Sequence, residues 1–321
     1  MRIGTLWTLT KHTLYQWNED RVSRLSASLA FYTAFSIAPI LIIAIAIAGF
    51  LFTRQAAQRE VTDQLEQLMG KPAAQAVEML LASAATPGAG SGLATVLGIL
   101  ILIYGATNVF AELQDSMNTI WEVKPKPGRF WWQILKDRIF SFVMVLGTAF
   151  LLVVSLVIST LLAAGSRHIA GGGEVLWRII NLTSSLAVFT LVFAAIFKWI
   201  PDVKIRWADV WIGAVFTSVM FTLGKSLIGL YLGRSSVISV YGAAGSLAIL
   251  LIWVYYSAQI LFIGAEFTQV YARRLGTPIP PDDAAIPITE EERAQQGIPS
   301  RHRIDEASRA QDQRKHAGNQ R

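Results

Sequence analysis

The chain has no cysteine and only four histidines in 321 residues. The first absence excludes disulfides and thiolate metal sites and leaves the redox compartment unreadable. The histidines (His12, His168, His302 and His316) are scattered, so they lack the paired spacing of a hydrolytic metal site. No Walker loop and no GxSxG motif is present. Charge is scarce too, 16% of residues against 53% hydrophobic, and the charges fall between apolar runs. A soluble helical protein needs a polar back on each surface helix. The residues therefore predict no enzyme, no metal and no cofactor.

What is there is apolar length. Leu25 to Thr53 is 29 residues without a charged side chain. About 20 apolar residues, at about 1.5 Å each, cross a hydrocarbon core about 30 Å thick. Met79–Ala111, Ile139–Ser166, Ile179–Phe197 and Ser235–Ala265 are likewise uncharged, and Val210–Leu232 is broken only by Lys225. These runs predict an all-α, polytopic membrane protein of six transmembrane helices, at 26–50, 92–111, 139–163, 179–199, 209–232 and 240–265. The first run lies some 25 residues in and lacks a small-residue cleavage site. It is expected to stay as a signal anchor.

The net charge of +6 follows from topology rather than from nucleic-acid binding. Of the 28 Lys and Arg, 21 fall in the N-terminus, the second and fourth loops and the C-terminus, and 7 in the alternate compartment. The positive-inside rule then puts both termini in the cytoplasm.

Residues 1–25, with Trp7, Tyr15 and Trp17 among basic residues, predict a cytoplasmic interfacial helix. The six-helix membrane domain is read as 26–275. In its external loop 53–91, Val61, Leu65 and Leu68, then Val77, Leu80 and Leu81, recur at helical spacing, broken near Gly70 and Pro72. Two short external helices fit. In the cytoplasmic loop 112–138 the second helix runs on through Asn108, Glu112, Asp115, Asn118 and Trp121 until KPKPG at 124–128 stops it. Residues 276–321 turn rich in Pro, Glu, Arg and Gln and predict a disordered cytoplasmic tail.

Polar or helix-breaking residues at membrane depth are the candidate functional positions. Pro39 sits mid-helix, frees the carbonyl near Phe35, and has Ser36 nearby. Lys225 either snorkels outward or finds a buried partner. Glu266 ends the sixth span, either packing against Lys198 or Arg138 or facing a cytoplasmic cavity. Tyr241-Gly242-Ala243-Ala244-Gly245-Ser246 permits close helix packing or local unwinding. Pro39, Lys225, Tyr241, Gly242 and Glu266 together form the candidate substrate path.

Several stretches together resemble the YihY/BrkB family of bacterial inner-membrane proteins, once labelled ribonuclease BN. They are Ser26 to Tyr32 with Ser36 and Pro39, Asn118, the basic turn to Arg138, Pro201 to Trp207, Gly213-Ala214, Tyr241-Gly242, Trp253, and Gly264-Ala265-Glu266. The likeness spans about residues 15–275. It implies six helices in the bacterial cytoplasmic membrane, without assigned chemistry, and a serum-resistance role. The ribonuclease label does not suit a chain that lacks clustered His and Asp. The expected function is transport or flipping of a small solute, ion or lipid. The alternative is a non-transporting scaffold for envelope assembly or stress resistance, docking envelope proteins through loop 53–91. Membrane lipids are the expected partners in either case.

Overall fold

The computed structural model describes residues 3–49, 53–84, 92–127, 139, 143, 147, 174–234, 243–274 and 279–295. In chain order the elements are α1 (Ile3–Glu19), α2 (Val22–Ala48), α3 (Arg54–Met69), α4 (Lys71–Ala84), α5 (Gly92–Ile120), β1 (Val123–Pro125), α6 (Glu174–Trp199), α7 (Trp207–Arg234), α8 (Ala243–Arg274), β2 (Ala285–Pro287) and α9 (Glu290–Gln295). The chain is mostly helical. Among the described residues four helical stretches are long and apolar enough to cross a membrane: Val22–Ile47, Leu182–Trp199, Trp207–Ile228 and Leu247–Arg274. The expected second span lies within α5. The expected third, 139–163, lies outside the described residues but for three positions.

α8 is the hub, packing against α7, α2, α1, α4 and α5. Its contact with α7 is an interlock. Each helix carries a Gly-xxx-Thr pair, Gly213/Thr217 and Gly264/Thr268. Each threonine hydroxyl donates to the carbonyl of the glycine one turn back in its own helix, at 2.7 Å. That places its hydroxyl against the other helix's glycine. A Cβ on Gly213 would lie 1.8 Å from Thr268 Oγ1, and one on Gly264 would lie 1.9 Å from Thr217 Oγ1. Only hydrogen fits at either place. Such small-residue contacts supply van der Waals packing where lipid gives no hydrophobic drive. α6 joins α7 through the buried hydroxyl pair Thr190–Ser218, 2.8 Å apart.

Two apolar clusters flank this seam. One gathers Val22, Leu29, Met117, Ile120, Phe193, Phe197, Leu261 and Phe262. The other joins the inner faces of α2 and α8 (Ala38, Leu41, Ile249, Leu250) to α3 and α4 (Val61, Leu65, Met69, Val77). The α3–α4 hairpin thus packs onto the bundle. Its helices are longer than the spacing suggested but break where expected, at Gly70, whose φ of 80° suits glycine. Aromatic and branched side chains such as Phe31, Phe35, Leu191 and Leu227 are exposed on α2, α6 and α7, as in proteins whose solvent is lipid.

Two departures from the sequence reading matter. α8 outruns the expected sixth span, which stops at 265, and ends at Arg274. Glu266 ends the apolar run but not the helix. In addition, part of the stretch expected as disordered tail is folded. β2 pairs antiparallel with β1, Val123 opposite Pro287. Lys204 N donates to Pro280 O, and Asp282 N to Asp202 O. A segment poor in apolar residues can still fold when a neighbouring edge supplies backbone partners.

Filling the α7–α8 seam should force the helices apart. Gly213→Val and Gly264→Val are each expected to lower the melting temperature of the detergent-purified protein by ~5 °C or more. Gly105→Ala, whose new Cβ would meet only Pro39 Cγ at 3.5 Å, is expected to stay within ~2 °C.

Candidate functional site at the strapped end of the bundle

The polar turns of α8 converge with three other parts of the chain. Glu266 and Gln269 are fully buried, one helical turn apart and so on one face. Opposite them is the elbow between α1 and α2. Asp20 Nα donates to Gln16 O at 2.8 Å, and Arg21 then turns left-handed at φ 50°. α5 ends beside them. Gln269 Nε2 donates to Ile120 O at 2.5 Å, meeting one of the carbonyls that a helix end leaves open. Glu122 follows in the left-handed region at φ 56°. Among the described residues Arg21 and Glu122 are the non-glycine residues with positive φ. Each such conformation costs about 1–2 kcal/mol, and both lie at this cluster.

The fourth contributor is α9. Arg293 comes from the folded tail, yet only 6% of its side chain is exposed. Its guanidinium donates to Asp20 Oδ1 at 2.7 Å and lies 3.4 Å from Glu122 Oε1. Arg273 of α8 forks onto Glu122 at the rim, at 2.8 and 3.3 Å. Thr289 and Glu292 cap α9 reciprocally, Glu292 N to Thr289 Oγ1 and Thr289 N to Glu292 Oε2. Lys124 of β1 pairs with Glu292. Residues 279–295 therefore form a strap across the bundle end.

A second clamp holds the loop between α6 and α7. Asp202 accepts from Gln114 at 2.9 Å and Asn118 at 2.8 Å, and its own amide donates to Asn118 Oδ1 at 2.8 Å. Trp17 of α1 donates to Gln259 of α8 at 2.8 Å. Trp199 and Trp207 stand exposed at that loop, edge to face at 5.9 Å.

Among the described residues, several oxygens of the cluster meet no hydrogen-bond donor: Asp20 Oδ2, both oxygens of Glu266, and Gln269 Oε1. Buried acceptors left unmet cost free energy. Burial pushes the Asp20 carboxyl up to about 6, against the pull of Arg293.

The candidates read from sequence fall in different places. Pro39 is half-buried and faces α5 at Gly105. Ser36 donates to Gly105 O at 2.5 Å, so its hydroxyl ties two helices rather than the carbonyl freed by Pro39. Lys225 is half-buried on α7, its ammonium 5.3 Å from the Phe189 ring on α6. Glu266 meets Asp20, with Glu122 and Arg273 near. It does not meet Lys198, which donates to Ile205 O. Tyr241, Gly242 and Arg138 lie outside the described residues. Sequence reasoning missed Asp20, Glu122, Gln269 and Arg293. The bonded pair Asp20–Arg293 is 273 positions apart, and no local spacing signals it.

Residues 13–287 match the model of a family described as Virulence factor BrkB. The chain belongs to the BrkB family. The match takes in the Asp20 elbow, Glu266 and β2. The chain is 29% identical over 272 residues to a UPF0761 membrane protein of Delftia acidovorans, covering 82% of this chain and 62% of that one. One from Albidiferax ferrireducens is 29% identical over 270 residues (81% and 61%), and one from Pseudomonas aeruginosa 27% over 252 (77% and 58%). The chain thus spans about three fifths of the length of these BrkB-type relatives. No solved structure matches it.

Arg293 is the strap's anchor. Breaking a buried ion pair on one side costs about 3–5 kcal/mol. Arg293→Met should therefore expose the strap, so that proteinase K cuts between 279 and 295 at least ~10-fold faster than in the wild type. Arg273→Met, at the exposed rim, should change that rate little.

Proposed function

We propose that this protein is a multi-pass protein of the bacterial cytoplasmic membrane that moves a small solute, ion or lipid. The reading adds the apolar half of α5 and residues 139–163 to the four long apolar helices, giving six spans with both termini in the cytoplasm. The strap then covers the cytoplasmic end of the bundle, and the α3–α4 hairpin the outer end. The reading assigns no catalysis, no cofactor and no nucleic-acid partner, and the surrounding partner is lipid.

One observation carries the transport reading. Glu266 is fully buried with both carboxylate oxygens free of hydrogen bonds among the described residues, at the inner end of an apolar helix. An ionisable group at such a place is costly and marks a path or a coupling site. Pro39 and Lys225 add a proline inside α2 and a half-buried cation on α7. Tyr241 and Gly242 complete the proposed path from the sequence.

The scaffold alternative is favoured by a different observation. α7 and α8 are interlocked at Gly213 and Gly264, and the α2–α8 face is apolar. Between α3 and α4 a polar cleft of about 470 Å3 is lined by Gln55, Gln58, Arg59, Thr62, Asp63 and Glu78. It would be the surface offered to envelope proteins.

Liposome flux separates the two. The reconstituted protein should carry labelled phospholipid or small ions across the bilayer, and Glu266→Gln and Lys225→Met should each reduce the rate ~10-fold or more. Wild-type flux in both variants would remove these residues from the path. No flux with any probe, together with specific cross-linking of envelope proteins from Arg59, would establish the scaffold. Reporter fusions at residues 2 and 321 should both report cytoplasm.

A further inference from the structure

We propose that Asp20 and Glu266 form a proton-binding site, in which one proton is held between the two carboxyl groups beneath the strap. The argument begins with charge. Three charged side chains are sealed in the cluster: Asp20, Glu266 and Arg293. With both acids ionised they carry one uncompensated negative charge away from water, an arrangement that folded proteins avoid. The rim does not correct this. Glu122 and Arg273 engage each other, and Glu19 on α1 adds a further negative charge near Arg293. Arg21 and Arg24 on the elbow and Arg274 on α8 are exposed.

Hydrogen bonding points the same way. Asp20 Oδ1 is taken by Arg293, whereas Asp20 Oδ2 and both oxygens of Glu266 find no donor among the described residues. Two neighbouring carboxyl groups, all of whose remaining sites are acceptors, lack one hydrogen. A proton on Glu266 turns that acceptor into a donor toward Asp20 Oδ2, leaves Asp20 ionised for Arg293, and neutralises the sealed set. No bond other than O–H is made or broken, and the proton comes from and returns to water. Among the described residues no group of three His, Asp or Glu suited to a metal ion is present. The raised Asp20 carboxyl agrees with this arrangement. When like carboxylates share a site, one of them is held protonated.

The proton also bears on the strap. Its loss sets two bare carboxylates side by side at the elbow that Arg293 grips, favouring separation of α1–α2 from α8. This inference does not require transport, since it concerns occupancy of the site at equilibrium.

Infrared spectroscopy of the full-length protein in detergent tests it. Exposed acids are ionised at neutral pH, so a carboxylic-acid carbonyl band there reports a buried proton. The wild type should show that band, Glu266→Gln should lose it, and Asp20→Asn should shift it. Absence of the band at neutral pH, or its persistence unchanged in both variants, overturns the proposal. Thermal melting provides a second readout. An acid whose folded pKa is raised binds more protons folded than unfolded, so stability falls as pH rises between the two values. Relative to Glu266→Gln, which cannot hold the proton, the wild type should therefore gain ~3 °C or more between about pH 7 and about pH 5. An equal slope in both proteins, or a melting temperature raised by Na+ but not K+ in the wild type alone, overturns the assignment; the latter would give the site to a metal cation.

Discussion

The polar final turns of α8 govern the architecture of one end of this molecule. A helix that is apolar from Leu247 onward places Glu266, Thr268 and Gln269 inside the protein, all fully buried. Buried polar groups require partners. α5 answers by ending at Ile120, where its carbonyl receives Gln269. α1 and α2 answer with an elbow that turns Asp20 inward. The segment 279–295 answers with Arg293. Four parts of the chain, distant in sequence, are held together by one helix that does not stop where its hydrophobicity stops.

This explains what could be read from sequence and what could not. The apolar runs are one-dimensional signals, and they place α2, α6, α7 and most of α8 within a few residues of their structural bounds. Gly70 marks the hairpin break because few other residues accept its backbone. The cluster is another matter. Asp20 looks like one more charge in a basic N-terminus, and Arg293 like one more charge in a polar tail. Their pairing depends on how the chain folds back across the bundle. Glu266 was visible as an anomaly, because it ends an uncharged run at membrane depth, but its neighbour was not.

The tail shows the limit of compositional reasoning most clearly. Residues 279–295 have too few apolar side chains to build a core alone. They do not need to. β1 lends an edge, the α6–α7 loop lends backbone groups, and Asp20 takes the arginine. The family match running to residue 287 includes β2 in the same unit as the helices.

The paired threonines and glycines between α7 and α8 carry a mechanical consequence. With each hydroxyl seated against the other helix's bare Cα, sliding by one residue would drive a methyl or hydroxyl into backbone. These two helices must move as a single lever. Any opening of the bundle is then confined to its other joints.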